Sequence, residues 1–548
     1  MIKLKYILIL ILLLSFTSEV YALDIQYGSI KGYQGSNVLI EYYGLGKKKD
    51  YVCNILNYKC TNTKKTVLGK TNIPILDTSI KKEVEDHKGG RATLSPKGNW
   101  LAYYIKPQET TKTRTYIIKN IKNGTEYSTS SSVNYWDLVN EEKKVFEFSP
   151  DEKTLIYLDD KSGFMSLYKV DLNSLINGKI ESVVINSAAY TISSFIYDNS
   201  SNIYYVGNSK DNPYKWSLYH MDLNTNKENI VESYVSYTDP ITKIGSALIF
   251  NRLQNKGYGP EIYNLKTKKI AYFKIPNINT KINIQHEEYV KVGNSNAVVM
   301  TPLPYNPKKT YPVLIWLHGG PLRQTSLGYH PYHSYGIYDA SLKLLQKNNV
   351  IILKLDYIGS TGNGRAYSEK IQGNVGTGDI NNVMEAVTYL RNQYHVSDVY
   401  LAGNSYGGYM SLKALVEHDD TFKSITSING VTDWESLIVK MKTSIFNTEF
   451  NGVPDGMNKN LYDQASIINK IRNLGNQKIE IIQGGADDTI PPWQSVLLYD
   501  KLKAANKNVT LDTYKGENHV FKLKKNIGSI CVKLFGMTGI KNTKECTN

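Results

Sequence analysis

The sequence predicts an all-β N-terminal half followed by an α/β half with a mostly parallel sheet. Three observations carry that expectation. Short Tyr-, Ile- and Val-rich runs separated by Asn, Asp, Gly, Ser and Lys turns fill the chain from about Leu23 to Pro276. Apolar runs alternate with helical patterns from about Lys281 onward. Residues able to carry chemistry fall just past the ends of those later runs, where α/β sheets place their sites.

The β half carries a degenerate repeat. Leu94-Ser-Pro-Lys-Gly-Asn-Trp-Leu-Ala-Tyr103 is echoed by Phe148-Ser-Pro-Asp-Glu-Lys-Thr-Leu-Ile-Tyr157, with looser copies ending at Tyr205 and Phe250. The closing aromatics are 54, 48 and 45 residues apart. A strand, a tight Ser-Pro turn and a second strand at this period, with another strand pair beyond, predict propeller blades, five to seven of them. A pair of packed β-sheets is the alternative, and it would not need the periodic turn. Glu141 and Glu142 precede one blade strand and read as a solvated connecting turn, with recognition of a substrate amino terminus as the second reading.

In the α/β half, Glu288 to Met300 reads as a hairpin, and Pro312–Leu317, Val350–Leu355, Asp398–Ala402, Ser424–Ile428, Ile479–Gln483 and Val509–Tyr514 as strands. Helices are expected over Val383 to Tyr394, Gly408 to Glu417 and Trp493 to Ala505. The expected domains are residues 23–280 and 281–548.

The chain of 548 residues carries a net charge of +15, with its lysines scattered. That pattern fits a solvated basic surface and no nucleic-acid groove. Lys3 and Lys5 precede an apolar run from Tyr6 to Leu14, and a polar stretch then ends at Ala22. The run is short for a membrane span, so residues 1–22 read as a signal peptide cleaved near Ala22, with export to a periplasm or the outside and no membrane span afterwards. Of four cysteines, Cys53 lies near Cys60 and Cys531 near Cys546; in an oxidising compartment two local bridges are the simplest of three pairings.

Gly403-Asn404-Ser405-Tyr406-Gly407 spells G-x-S-x-G between a short strand and a helix. A sharp strand-to-helix turn exposes the apex serine and leaves little room for side chains two residues to either side. The pentapeptide alone is weak, with roughly 0.2 chance matches in a chain this long. Its weight comes from partners. His519, in Gly516-Glu-Asn-His519, is placed to take the Ser405 proton, and Asp487 to hold the imidazole, with Asp488 as rival. The chain order Ser405, Asp487, His519 is that of an α/β hydrolase. Two N–H donors are needed for the acyl oxyanion. The Tyr406 amide supplies one, and Gly320, in His318-Gly-Gly-Pro321, is favoured for the other. His330 and His333 read as ordinary loop residues, with no third metal ligand evident. This chemistry requires no metal and no cofactor.

Together His318 to Pro321, Asp356 to Gly364, Gly403 to Gly408, Thr432 to Trp434, Gly484 to Pro491 and Gly516 to His519 resemble the prolyl oligopeptidase family of serine peptidases, nearest its acylaminoacyl-peptidase and dipeptidyl-peptidase-like branch. The resemblance implies a β-propeller followed by an α/β hydrolase, with a site between them and short peptides as substrates. Three positions depart from it. Ile358 and Thr489 stand where the family frequently has Arg, and Val375 where it has Trp. An esterase on the same triad, or a non-catalytic propeller-based binding protein, are the competing expectations.

Overall fold

The computed structural model describes residues 23, 25–44, 47–64, 78–87, 89–105, 114–131, 144–175, 179–444, 446–456, 458–471 and 474–547. Glu141, Glu142 and residues 1–22, where a signal peptide is expected, lie outside them.

Among the described residues the β half forms five four-stranded antiparallel units. Their first strands begin at Gln26, Gly89, Phe146, Ala189 and Thr242. The count is the low end of the expected range. In the last unit, Gly257–Asn264 also pairs in parallel with Gln26–Gln34, through Gln26 with Gly257 and Tyr27 with Tyr258. The two ends of the β half are thereby joined.

The repeated Ser-Pro turn has a physical cause. The Ser95 hydroxyl accepts from the Trp100 amide at 3.0 Å, and the Ser149 hydroxyl from the Thr154 amide at 3.0 Å. Each serine therefore closes its own hairpin and starts the next strand. The third turn residue is left-handed in both copies: Gly98 at φ +75° and Glu152 at φ +59°. Glutamate tolerates that backbone at a cost of about 1–3 kcal/mol. Its carboxylate offsets this by accepting from the Lys97 amide and the Asn99 side chain of the neighbouring turn. The four closing aromatics, Tyr103, Tyr157, Tyr205 and Phe250, are all buried.

The second half is one eight-stranded sheet. Its strands are β1 (Glu287–Val292), β2 (Ser295–Met300), β3 (Tyr311–Leu317), β4 (Ile351–Asp356), β5 (Val396–Asn404), β6 (Ser424–Ile428), β7 (Lys478–Gly484) and β8 (Val509–Tyr514). Their spatial order is β1-β2-β4-β3-β5-β6-β7-β8. The β1–β2 and β2–β4 pairs are antiparallel and the rest parallel.

Strand β3 shows why the sheet is covered on both faces. Val313, Ile315 and Leu317 enter one core, while Leu314 and Trp316 enter the other, because successive side chains alternate. On the first face lie helices α2 (Gly378–Gln393) and α3 (Tyr406–Glu417). On the second lie α1 (His333–Lys347) and α7 (Lys524–Met537). Helices α4 (Trp434–Met441), α5 (Asn458–Ala465) and α6 (Trp493–Ala504) complete the longer set of this half. Leu23, Ile25 and Tyr27 pack in the second core, so the start of the described chain is seated against the α/β half. Disulfides join Cys53 to Cys60 and Cys531 to Cys546.

One expectation is corrected. His333 opens α1 and does not lie in a loop. The residues from Gly336 to Leu342 are buried on every side, so no polar face marks the helix.

Candidate active site

Strand β5 ends at Asn404, and Ser405 turns the chain into α3 with φ 56° and ψ −121°. That conformation is unfavourable for a residue with a side chain and persists only where its surroundings impose it. Here the Ser405 amide donates to Ile428 O at 2.8 Å, and the Ser405 carbonyl accepts from the Tyr409 amide at 3.0 Å. The flanking glycines are required by crowding. A Cβ on Gly403 would meet the Gly407 carbonyl carbon at 2.5 Å, and one on Gly407 would meet Leu317 O at 2.1 Å. Strand β3 and helix α3 touch backbone to backbone at this point.

Strand β7 delivers the acid. The Asp487 carboxylate accepts from the Thr489 and Ile490 amides at 2.9 and 2.8 Å through Oδ1, and lies 2.8 Å from His519 Nδ1 through Oδ2. Its side chain is fully buried, whereas that of His519 is 20% exposed. With Nδ1–H donating to the carboxylate, Nε2 is the nitrogen left to accept a proton. Asp488 is exposed, and its backbone amide faces Asn518 Oδ1 at 3.3 Å. The acid beside the imidazole is thus Asp487.

Strand β6 connects the two parts of the site. Ile428 O holds the Ser405 amide, and the next residue, Asn429, donates from its side chain to His519 O at 2.9 Å. Asn429 also accepts from the Gly484 amide at 2.8 Å, which fastens the end of β7. The Ser405 turn, the His519 loop and the end of β7 therefore meet on consecutive residues. Sequence reasoning passed over Asn429; its only signal is a polar residue directly after an apolar strand. Among the described residues Ser405 Oγ makes no hydrogen bond, and such bonds commonly tighten only with substrate present.

The candidate oxyanion side comprises the start of α3 and the turn after β3. The Tyr406 amide lies in the first turn of α3, where N–H groups have no acceptor within the helix. A Cβ on Gly319 would sit 3.0 Å from Ser405 Cβ, so this glycine abuts the nucleophile and Gly320 follows it. His318 braces the turn. Its Nε2 lies 3.0 Å from Ser360 Oγ and 3.3 Å from Asp356 Oδ1, and Tyr357 OH donates to its carbonyl at 2.7 Å.

Behind Tyr406 lies Asp379, which accepts from the Tyr406 hydroxyl at 2.6 Å. Complete burial pushes its carboxyl up to about 6, with the Tyr406 bond opposing. His330 and His333 are held down to about 3 and about 4 by burial. The His330 ring faces backbone through both nitrogens, at Gln324 O and the Tyr332 amide. Of the three departures, Ile358 and Val375 are buried and Thr489 is exposed.

The strand-end loops also carry the contact with the β half. Asp356 accepts from Tyr214 OH at 3.0 Å, Gln324 accepts from Trp216 Nε1 at 3.1 Å, and Gly362 O accepts from Asn208 Nδ2 at 3.3 Å. The β unit that starts at Ala189 thus meets the strand-end edge of the sheet, where the candidate residues lie.

Comparison with known proteins agrees with this architecture. Residues 337–533 match the prolyl oligopeptidase family, and the chain carries a domain of that family. A probable dipeptidyl-aminopeptidase B of Botryotinia fuckeliana is 30% identical over 228 residues, covering 41% of this chain and 23% of that protein. One of Talaromyces marneffei is 26% identical over 345 residues, covering 59% and 36%. The matches thus span about a quarter to a third of these relatives' own length. Among solved structures, a puromycin-hydrolyzing peptidase of Mycobacterium tuberculosis superposes with TM-score 0.66 at 15% identity, over 93% of this chain and 78% of that one. Dipeptidyl peptidase 4 of Porphyromonas gingivalis gives 0.63 at 15%, over 93% and 71%. The fold is an α/β hydrolase preceded by a β-propeller.

Proposed function

We propose that the chain is an exported serine peptidase that cleaves short peptides through an acyl-enzyme on Ser405. The observation that carries this is the 2.8 Å His519–Asp487 bond, tied through β6 to a strained serine. In the first step the Ser405 hydroxyl oxygen bonds to the scissile carbonyl carbon while His519 Nε2 takes its proton. The carbonyl oxygen becomes an oxyanion, stabilised by the Tyr406 and Gly320 amides. The C–N bond then breaks as the imidazolium returns the proton to the leaving amine. Water, deprotonated by the same imidazole, releases the acyl group and restores the serine. Asp487 fixes the tautomer and stabilises the imidazolium throughout.

The propeller lies over the strand ends and restricts entry to short chains. The relatives' names, dipeptidyl-aminopeptidase and puromycin-hydrolyzing peptidase, support an aminopeptidase-like or aminoacyl-amide preference. Both disulfides suit an oxidising compartment, and among the described residues no helix is long and apolar enough to cross a membrane. The disulfides support export, and the lysine-flanked apolar run from Tyr6 to Leu14 ending toward Ala22 supports cleavage there, which N-terminal sequencing of the mature protein tests.

A second reading, an esterase on the same triad, is favoured by Ile358 and Thr489, which stand where the resemblance implies Arg, Thr489 at the position that would hold a substrate carbonyl. A panel of aminoacyl, dipeptidyl and acyl-peptide anilides, puromycin and short-chain esters separates the two. Peptide or aminoacyl-amide turnover that vanishes in Ser405→Ala supports the peptidase; turnover of esters alone overturns it.

A further inference from the structure

Glu517 is a buried carboxylate two residues before the candidate base, and the chemistry above leaves it without a task. Burying a carboxylate is costly unless its oxygens are satisfied. Those of Glu517 are satisfied by an unusual set. Oε2 accepts from the Lys522 amide at 2.8 Å, and Oε1 accepts from the Leu523 amide at 3.0 Å and Asn526 Nδ2 at 2.7 Å. All three donors belong to the opening of α7, whose N-terminal dipole end favours a negative charge.

The main chain of the same residue faces the other way. Glu517 O accepts from the Ala486 amide at 2.8 Å, next to Asp487. A Cβ on Gly484 would meet Glu517 O at 2.8 Å, so the acid's strand end and the base's loop are in direct backbone contact here. Asn518 then accepts from the His519 amide at 2.5 Å. The base's loop is thus pinned to the acid's loop by its backbone and to a rigid helix by the Glu517 carboxylate.

We propose that Glu517 is a positioning residue that fixes the height of the His519 imidazole over Ser405 by clamping its loop to α7. A helix cap with no link to the chemistry is the competing account. That account predicts lost stability with an unchanged rate per active site. Clamping predicts a lost rate in molecules that remain folded. This inference rests on the triad reading above.

The test uses the full chain with Glu517→Gln and Glu517→Ala. Active sites are counted by fluorophosphonate titration, and the His519–Asp487 bond is followed by the low-field proton resonance of Nδ1–H. Gln keeps the acceptor for Leu523 and Asn526 but turns an amide toward the Lys522 N–H. Since a shift of about 1 Å costs about 100-fold in rate, Glu517→Gln is expected to lower kcat about tenfold and Glu517→Ala about 100-fold, with KM nearly constant and a displaced resonance. Wild-type kcat per titrated site with an unmoved resonance overturns the proposal. If Glu517→Ala does not fold, Glu517→Gln decides alone. A wild type that neither turns over nor labels refutes the triad reading itself, and is thereby distinct from failure of the clamp.

Discussion

Gly319→Ala probes the contact on which the oxyanion side depends. A methyl there would lie 3.0 Å from Ser405 Cβ, 3.1 Å from Tyr335 OH and 3.2 Å from Asn404 O. Carbon atoms pack best at about 3.5–4.0 Å, so the serine or the turn must yield by about half an ångström. Gly319 has no positive φ, so alanine imposes no backbone strain and the fold should persist. With about 100-fold lost per ångström of misplacement, the expected loss in kcat is about tenfold, or about 1.4 kcal/mol of transition-state stabilisation. The assay is kcat and KM on the best substrate of the panel, normalised to titrated sites, with thermal unfolding as the control. Gly407→Ala is the contrast. Its methyl would lie 2.1 Å from Leu317 O, and folded protein should not accumulate. A Gly319→Ala enzyme with wild-type kcat would refute the claim that this turn abuts the reacting centre.

Asp487→Asn should lower kcat by about 10⁴-fold, the scale seen when a triad acid is neutralised, while Asp488→Asn should leave kcat unchanged. Equal effects of the two substitutions would contradict the geometry. Asp379 should make stability pH-dependent. Its carboxyl is raised from 3.8 to about 6 in the fold, so its neutral form is favoured there. Relative to low pH, stability is therefore lost as pH rises from about 4 through about 6, by about 3 kcal/mol. Asp379→Asn should remove that fall, so that the unfolding temperature of the variant gains on the wild type between pH 4 and pH 7. Parallel curves would show that Asp379 does not titrate in that window.

Much of this architecture is legible before any coordinates. Pro312–Leu317 is apolar without a break, and Val350–Leu355 is interrupted only by Lys354, whose buried ammonium pairs with Asp339 at 3.2 Å; runs this apolar mark strands of a sheet covered on both faces and are hard to mistake. The elbow at Ser405 is legible because crowding at Gly403 and Gly407 admits no side chain. The helices at His333–Lys347 and Lys524–Met537 are not legible. The first is buried nearly all round, and the second carries Gly528 and Gly536 in its interior. Asp487 and Asp488 are equal on spacing; what separates them is the pair of amides from Thr489 and Ile490, which orients one carboxylate toward His519. Asn429 and Glu517 act through bonds to residues distant in sequence or to a helix start, and no local pattern announces either. The blade count stays open in the sequence because the Ser-Pro turn is kept in only two of the units.

The most direct test of the central claim is to treat the full chain with a fluorophosphonate and locate the adduct by tandem mass spectrometry. The account predicts one adduct, on the Ser405 hydroxyl, lost in His519→Ala while the variant remains folded. Folded wild-type protein with Ser405 unmodified, or labelled equally well without His519, would contradict it.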